Sequence, residues 1–178
     1  MNTIKVKDKE FAISIPEERI LTEVDRLAAR LNRDLEGENP LFLCVLNGSF
    51  VFAADLFRRI DIPAEISFVK LASYEGTAST GKVKELVGLA EDITGRTVVI
   101  IEDIVDTGRT MQKLVADLKS RGPKAVHVCT LLLKPEKLKV KLDVEYVALE
   151  IPNDFIVGYG LDYDGYGRNL RDIYTVVE

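Results

Sequence analysis

The sequence predicts an α/β fold: a doubly wound central parallel sheet flanked by helices, with the terminal segments added to it as a small hood. Three observations predict it. The apolar runs Leu41–Leu46, Val98–Ile101 and Ala125–Leu133 lack a polar alternation, as parallel strands buried on both faces do. Segments of helical period alternate with them. Each run also ends in turn-forming or polar residues: Asn47-Gly48-Ser49, Asp106-Thr107-Gly108 and Lys134-Pro135. No repeat, low-complexity stretch or Pro/Gly-rich linker divides the chain, so residues 1–178 read as a single domain.

The elements follow in order. From Glu17 to Leu35, residues Ile20, Val24, Leu27, Ala28 and Leu31 fall on one helical face. Ser14 and Glu17 resemble a capping box, and Pro16 suits a first turn. Leu41–Leu46 reads as a buried strand and Phe50–Ile60 as a short helix packed on the sheet. Ile66–Leu71 is the next strand; the small, polar, unpatterned stretch Ser73–Gly81 reads as a loop, with a returning strand over Glu85–Leu89. The central strand is followed by a helix whose inner face carries Met111, Leu114, Val115 and Leu118 and which Gly122-Pro123 stops. Ala125–Leu133 and Val144–Leu149 are further strands, and Ile173–Val177 is a short strand-like run near the end.

The 178 residues are enough to bury a substantial core, and 47% hydrophobic with 30% charged residues argues against disorder. A net charge of -5 weighs against a dedicated nucleic-acid binder, which shows a basic stripe, but leaves room for a local basic pocket. Cys44 and Cys129 sit inside apolar runs and read as buried free thiols of a reduced protein. His127 alternates with apolar neighbours and reads as a satisfied core or half-buried histidine. Neither a signal-like N-terminus nor a membrane-length apolar run is present, so a cytoplasmic protein is expected.

The chemistry concentrates in Thr97–Thr110, TVVIIEDIVDTGRT. A buried strand delivers Glu102 and Asp103 to the sheet edge where open α/β sheets place ligands. The loop Asp106–Thr110 then leads into a helix N-terminus, where backbone N–H groups can converge on a phosphate. Carboxylates beside a phosphate cradle suit a ligand that carries hydroxyls as well as phosphate, such as a ribose phosphate. The stretch lacks the first glycine and the lysine of a Walker P-loop, and the chain has no G-x-G-x-x-G.

Branched apolar residues before Glu102-Asp103, then two residues and Asp-Thr-Gly-x-Thr, resemble the signature of the type I phosphoribosyltransferases. The remainder resembles the hypoxanthine (hypoxanthine-guanine) branch over nearly its whole length. Leu46-Asn47-Gly48-Ser49 is similar to its pyrophosphate loop, Ser73-Tyr74 to the start of its mobile loop, and Lys134 to its purine-reading lysine. Phe155-Ile156-Val157-Gly158-Tyr159 and Leu161-Asp162-Tyr163 are similar to its base-stacking and metal-facing segment, and Arg168 to its late arginine.

The resemblance implies Mg²⁺-dependent transfer of phosphoribosyl from phosphoribosyl pyrophosphate to a 6-oxopurine, by a homodimer or homotetramer, without nucleic acid or membrane as partner. It implies that Glu102 and Asp103 hold the ribose hydroxyls and, with Asp162, the metal. Asp106, Thr107, Gly108, Arg109 and Thr110 would wrap the 5′-phosphate, and Asp106 would be the catalytic group managing the purine proton. Leu46, Asn47 and Gly48 would bind pyrophosphate, with a cis peptide expected between Leu46 and Asn47; many relatives carry lysine where this chain has Asn47. Lys134 would donate to the 6-oxo group and reject an exocyclic amine there. Phe155 and Ile156 would face the base, Tyr74 would cover the reaction, and Arg168 would take pyrophosphate. A regulator that kept the fold and binds nucleic acid is the alternative; Lys134, Phe155 and Asp162 count against it.

Overall fold

The site-bearing sheet of this computed structural model is built from β3 (Leu41–Leu46), β4 (Glu65–Glu75), β5 (Lys82–Val87), β6 (Thr97–Val105), β7 (Ala125–Leu133) and β8 (Tyr146–Glu150). Residues 2–75 and 82–177 are described, with the backbone alone at 72–75 and 82–85. The strand order is β5-β4-β3-β6-β7-β8; all pairings are parallel except β4 with β5, so the sheet is mixed at one edge. Leu41 lies beside Val98 and Cys44 beside Ile101, while Val98 and Ile101 lie beside Val126 and Cys129.

The missing alternation in the strands has a direct cause. Phe42, Cys44, Val99, Ile101, Cys129 and Leu131 point into a core closed by α1 (Glu17–Asp34) and α2 (Phe50–Phe57). Their neighbours Leu41, Leu43, Val98, Ile100 and Val128 point into a second core closed by α3 (Arg109–Lys119) through Met111, Leu114 and Leu118. Helices on both faces make the sheet doubly wound. Each fully buried Leu, Ile or Val contributes roughly 1.5–3 kcal/mol, so both residue sets of every central strand are held in place. Cys44 and Cys129 are free and buried, and burial pushes both thiols up from their ordinary range. His127 is half-buried, its Nδ1 3.7 Å from Glu145 Oε1 and without a hydrogen bond among the described residues, so it is less satisfied than expected.

The termini form the hood. A second sheet, antiparallel, has the order β1-β2-β10-β9, from β1 (Thr3–Val6), β2 (Lys9–Ile15), β10 (Ile173–Val177) and β9 (Ile156–Val157). Phe11, Val6 and Val157 form its own small core, whereas Ile15 and Ile173 join the α1/α2 core and fasten the hood to the main sheet. The sequence pattern did not announce β1 and β9, of four and two residues, or β2, of seven.

Elsewhere the boundaries moved for local reasons. The helical hydrogen bonds of α2 give way after Phe57 to tighter bonds from Arg59 N–H to Leu56 O and from Ile60 N–H to Phe57 O, so the coil continues to the expected Ile60 in another form. β4 runs on to Glu75, so Ser73 and Tyr74 extend a strand instead of opening a loop. They pair with Lys84 and Val83 of β5, whose ladder with β4 runs from Lys82 to Val87 and whose Leu86 packs against the second core. The expected capping box is absent. Ser14 Oγ donates to Ile173 O at 3.2 Å, and the Glu17 N–H is satisfied by Asp172 Oδ1 at 2.7 Å. Among the described residues, no helix is long and apolar enough to cross a membrane.

Because the cap of α1 is supplied from the far end of the chain, Asp172→Ala should cost about 1 kcal/mol in urea denaturation, while Ser14→Ala should cost less. A second expectation concerns alkaline pH. Tyr146 O–H donates to Asp34 Oδ2 at 3.0 Å; burial first and this bond second push the phenol up to about 12. The unfolded phenol ionises near its ordinary value, so the contribution is complete below about pH 10. It is lost as pH rises from there toward 12. Tyr146→Phe should flatten that part of the stability profile, measured by denaturant melts at successive pH values.

Candidate active site

Parallel strands end at a common edge, and every sequence-predicted polar site residue of the main sheet lies there or in the turn that follows. β6 is fully buried from Thr97 to Ile101 and only partly from Glu102 to Ile104, the point at which it leaves the two helical layers. Glu102 Oε1 accepts from the Asp103 N–H at 3.0 Å, and Asp103 Oδ1 accepts from the Ile104 N–H at 2.7 Å. Their aim is therefore set by the backbone they grow from. Gly108, with φ 84°, turns the chain into α3. The N-cap residue Gly108 has no side chain to cap that helix, and its first turn holds no acid; Thr107 Oγ1 accepts from the Arg109 N–H alone, at 3.4 Å, so the N–H groups beyond it and the positive dipole end face an anion. Glu102, Ile104, Asp106, Thr107, Gly108 and Thr110 line a cavity of about 100 Å³ at this point. Arg109 is not in its wall; it lines a neighbouring cavity of about 200 Å³ with Leu71, Leu86 and Lys113.

The pyrophosphate-loop residues meet the acid pair directly. The Leu46–Asn47 peptide is cis, as expected. A Cβ at Gly48 would overlap Asp103 Oδ2, so only glycine admits the carboxylate at that place. Gly160 packs in turn against Gly48 O so closely that it too has no room for a side chain. Arg168 Nη1 donates to Gly160 O at 2.7 Å, and its Nη2 is 3.3 Å from Asp162 Oδ1. Asp162 Oδ2 accepts from the Gly165 N–H at 2.8 Å. Gly160 thus joins Asn47-Gly48 to Asp162 and Arg168, which lie 114 to 121 residues further along the chain, into one wall.

Lys134 is 8% exposed, unusually deep for an ammonium. Its Nζ is 3.3 Å from Asn153 Oδ1 and 3.7 Å from Asp106 Oδ2, so the cation stands beside the loop that follows the acid pair. Phe155 follows Asn153 by two residues. Its ring is 45% exposed, 6.0 Å from the Phe11 ring and edge-on to Tyr163 at 5.4 Å. It opens onto a hood cavity of about 820 Å³ shared with Thr3, Lys9, Glu10 and Val176, separate from the recess beside Asp106. Ile156 pairs with Thr175 and packs partly against the α1/α2 core. The side chains of Ser73 and Tyr74, and the stretch 76–81, lie outside the described residues.

The sequence reading missed Ile104 and Asn153. Ile104 is one of the two residues between the acid pair and the Asp-Thr-Gly-x-Thr loop to which the sequence assigned no role, and the structure puts it in the cavity wall. Asn153 carried no motif, and only the fold brings it to Lys134. The match to the phosphoribosyl transferase domain family spans residues 15–164. The hypoxanthine-guanine phosphoribosyltransferase of Streptococcus thermophilus is 44% identical over 167 residues, 93% of each chain. The chain belongs to the hypoxanthine-guanine phosphoribosyltransferase family. That of Streptococcus agalactiae is 47% identical over 163 residues, 91% of each chain. The crystal structure of a Bacillus anthracis member, with HEPES in its active site, superposes with a TM-score of 0.83 at 43% identity, covering 94% of this chain and 97% of that one. As a member of this family the chain is an enzyme of pentosyl transfer.

The contact between Gly48 and Asp103 is testable without substrate. Gly48→Ala should destabilise by roughly 1–3 kcal/mol through overpacking. Adding Asp103→Ala should recover most of that loss, giving a clear non-additivity in urea melts; additive losses would mean that the two sites do not touch.

Proposed function

We propose that the chain transfers 5-phosphoribosyl from phosphoribosyl pyrophosphate to hypoxanthine or guanine, giving IMP or GMP and pyrophosphate. The observation that carries this is the buried Lys134 ammonium beside Asp106, at the rim of an uncapped helix N-terminus flanked by two carboxylates. A buried cation donates and cannot accept, so it favours a carbonyl at purine position 6 over an amine. The regulator alternative finds no support, since the relatives are named as transferases and the net charge is -5.

In this reading the first turn of α3 and the hydroxyls of Thr107 and Thr110 hold the 5′-phosphate, while Glu102 and Asp103 orient the ribose hydroxyls. Asn47-Gly48 and Arg168 hold the pyrophosphate. The bond from C1′ to pyrophosphate oxygen breaks and the bond from C1′ to the purine nitrogen forms, through a loose, oxocarbenium-like transition state. Asp106 accepts the proton that the five-membered ring gives up. Phe155 and Ile156 belong to the base side, and Tyr74 covers the reaction.

The donor chemistry of Glu102, Asp103 and Asp162 fits Mg²⁺, which takes hard oxygens. Among the described residues no three such groups converge, in keeping with a metal bound through one or two carboxylates plus substrate oxygens and water. When bound, Mg²⁺ supplies charge neutralisation at the pyrophosphate. The full chain 1–178 is read as one catalytic unit, cytoplasmic and dimeric or tetrameric; light scattering after size exclusion checks the assembly.

Steady-state rates with phosphoribosyl pyrophosphate and Mg²⁺ test the reading. Hypoxanthine and guanine should turn over, adenine should not compete, and Lys134→Met should lower kcat/KM for hypoxanthine at least about tenfold. Asp106→Ala should lower kcat by about 10²-fold or more. Adenine outcompeting hypoxanthine, or full activity of Asp106→Ala, would overturn the assignment.

A further inference from the structure

Asp106 has a second cationic neighbour. Its Oδ1 is buried and has no hydrogen-bond partner among the described residues, although a carboxylate oxygen out of water ordinarily demands one. Lys137 Nζ stands 3.6 Å from that Oδ1, while Lys134 Nζ stands 3.7 Å from Oδ2. The carboxylate is therefore held between two ammonium groups, one on each oxygen.

Local backbone geometry makes the pair. After β7 the chain makes one 3₁₀ turn, Pro135–Lys137, closed by Lys137 N–H to Lys134 O at 3.1 Å. The turn folds the chain back on itself directly after Lys134, and both Lys134 and Lys137 reach Asp106. The segment is tied down on either side of Asp106. Lys134 N–H donates to Val105 O at 3.0 Å, and Lys139 N–H donates to Thr107 O at 2.9 Å. These bonds bracket Asp106 and fix its distance from both lysines. Leu138 closes the arrangement from below: a Cβ on Gly108 would stand 2.7 Å from Leu138 Cδ1.

We propose that Lys137 is a positioning residue for the reaction, holding Asp106 by Oδ1 so that Oδ2 stays aimed at the base. The proposal rests on the roles given above to Lys134 and Asp106. Lys134 already stands between Asn153 Oδ1 and Asp106 Oδ2, and its 3.7 Å contact with Asp106 is the longer of the two, the one that lengthens when the ammonium moves to a purine 6-oxo group. Lys137 has no such second duty, and from 3.6 Å it keeps the carboxylate oriented when Lys134 turns to the base. Without it, Asp106 would rotate toward the remaining cation and lose its alignment with the ring proton.

The test compares wild type, Lys137→Met, Lys137→Gln, Lys137→Arg, Lys139→Met and Asp106→Asn, each checked for folding by thermal melt. The Lys139 side chain is exposed, so Lys139→Met controls for loss of one positive charge nearby. With hypoxanthine, Lys137→Met and Lys137→Gln should lose about tenfold or more in kcat while KM for phosphoribosyl pyrophosphate stays within about twofold. Lys137→Arg should restore most of the rate, and Lys139→Met should match wild type. Wild-type kcat in the folded Lys137 variants, beside an impaired Asp106→Asn, would overturn the positioning role and leave the transferase reading intact. A raised KM with kcat unchanged would also overturn it, by making Lys137 a phosphate ligand. Absence of turnover in wild type would instead remove the reading on which the proposal stands. If Lys137→Met fails to fold, Lys137→Gln and Lys137→Arg carry the same comparison.

Discussion

The burial of β6 on both faces is the constraint from which the site follows. Five consecutive residues, Thr97 to Ile101, have no face turned to water, and the strand cannot slide or rotate without exposing one of two cores. Glu102 and Asp103 are the first residues past that clamp. Their position is inherited from the core, and the aim of each comes from the one N–H group that follows it in the chain. Carboxylates placed in this way need little reordering when a ligand arrives.

Three long-range pieces are then assembled against that strand end, each by a different physical means. Asn47-Gly48 arrives through the register of β3 with β6 and stays because glycine leaves space for Asp103. Lys134 arrives through the register of β7 with β6 and is secured by the hydrogen bond to Val105 O. Arg168 and Asp162 arrive with the hood through the contact of Gly160 with Gly48, and the hood is anchored by Ile15 and Ile173 in the main core. The hood turn adds its own clasp: Lys7 pairs with Asp164, and Tyr163 O–H donates to Asp8 Oδ1 at 2.6 Å. The acid pair, the phosphate turn and the pyrophosphate wall are thus coupled through backbone approaches in which no side chain could be accommodated.

Charge is distributed to match. A chain of net charge -5 nonetheless collects Lys134, Lys137 and Arg168 around its acids. Each cation is partnered by a carboxylate or a carbonyl, so the site carries no isolated buried charge, which would cost several kcal/mol. Arg109, by contrast, lines the cavity beside Leu71 and Leu86 and not the one walled by Glu102, Asp106 and Thr107.

The sequence by itself determined the doubly wound sheet, because strands buried on both faces lose their polar alternation and strands of that kind are readable one at a time. It also determined the acid pair and the phosphate turn, which are contiguous in the chain. α1 and α3 were legible from their single apolar faces. Tertiary structure alone decided what depends on partners far away. The α1 cap passes from Ser14 to Asp172 because β10 lies beside β2 and brings Asp172 to the helix end. Ser73 and Tyr74 join a strand because β5 offers a ladder that no local pattern announces. Lys137 faces Asp106 because a 3₁₀ turn and two hydrogen bonds place it there, 31 residues downstream. Periodicity and contiguous motifs are properties of neighbours in the chain; caps, ladders and ion pairs are properties of neighbours in space.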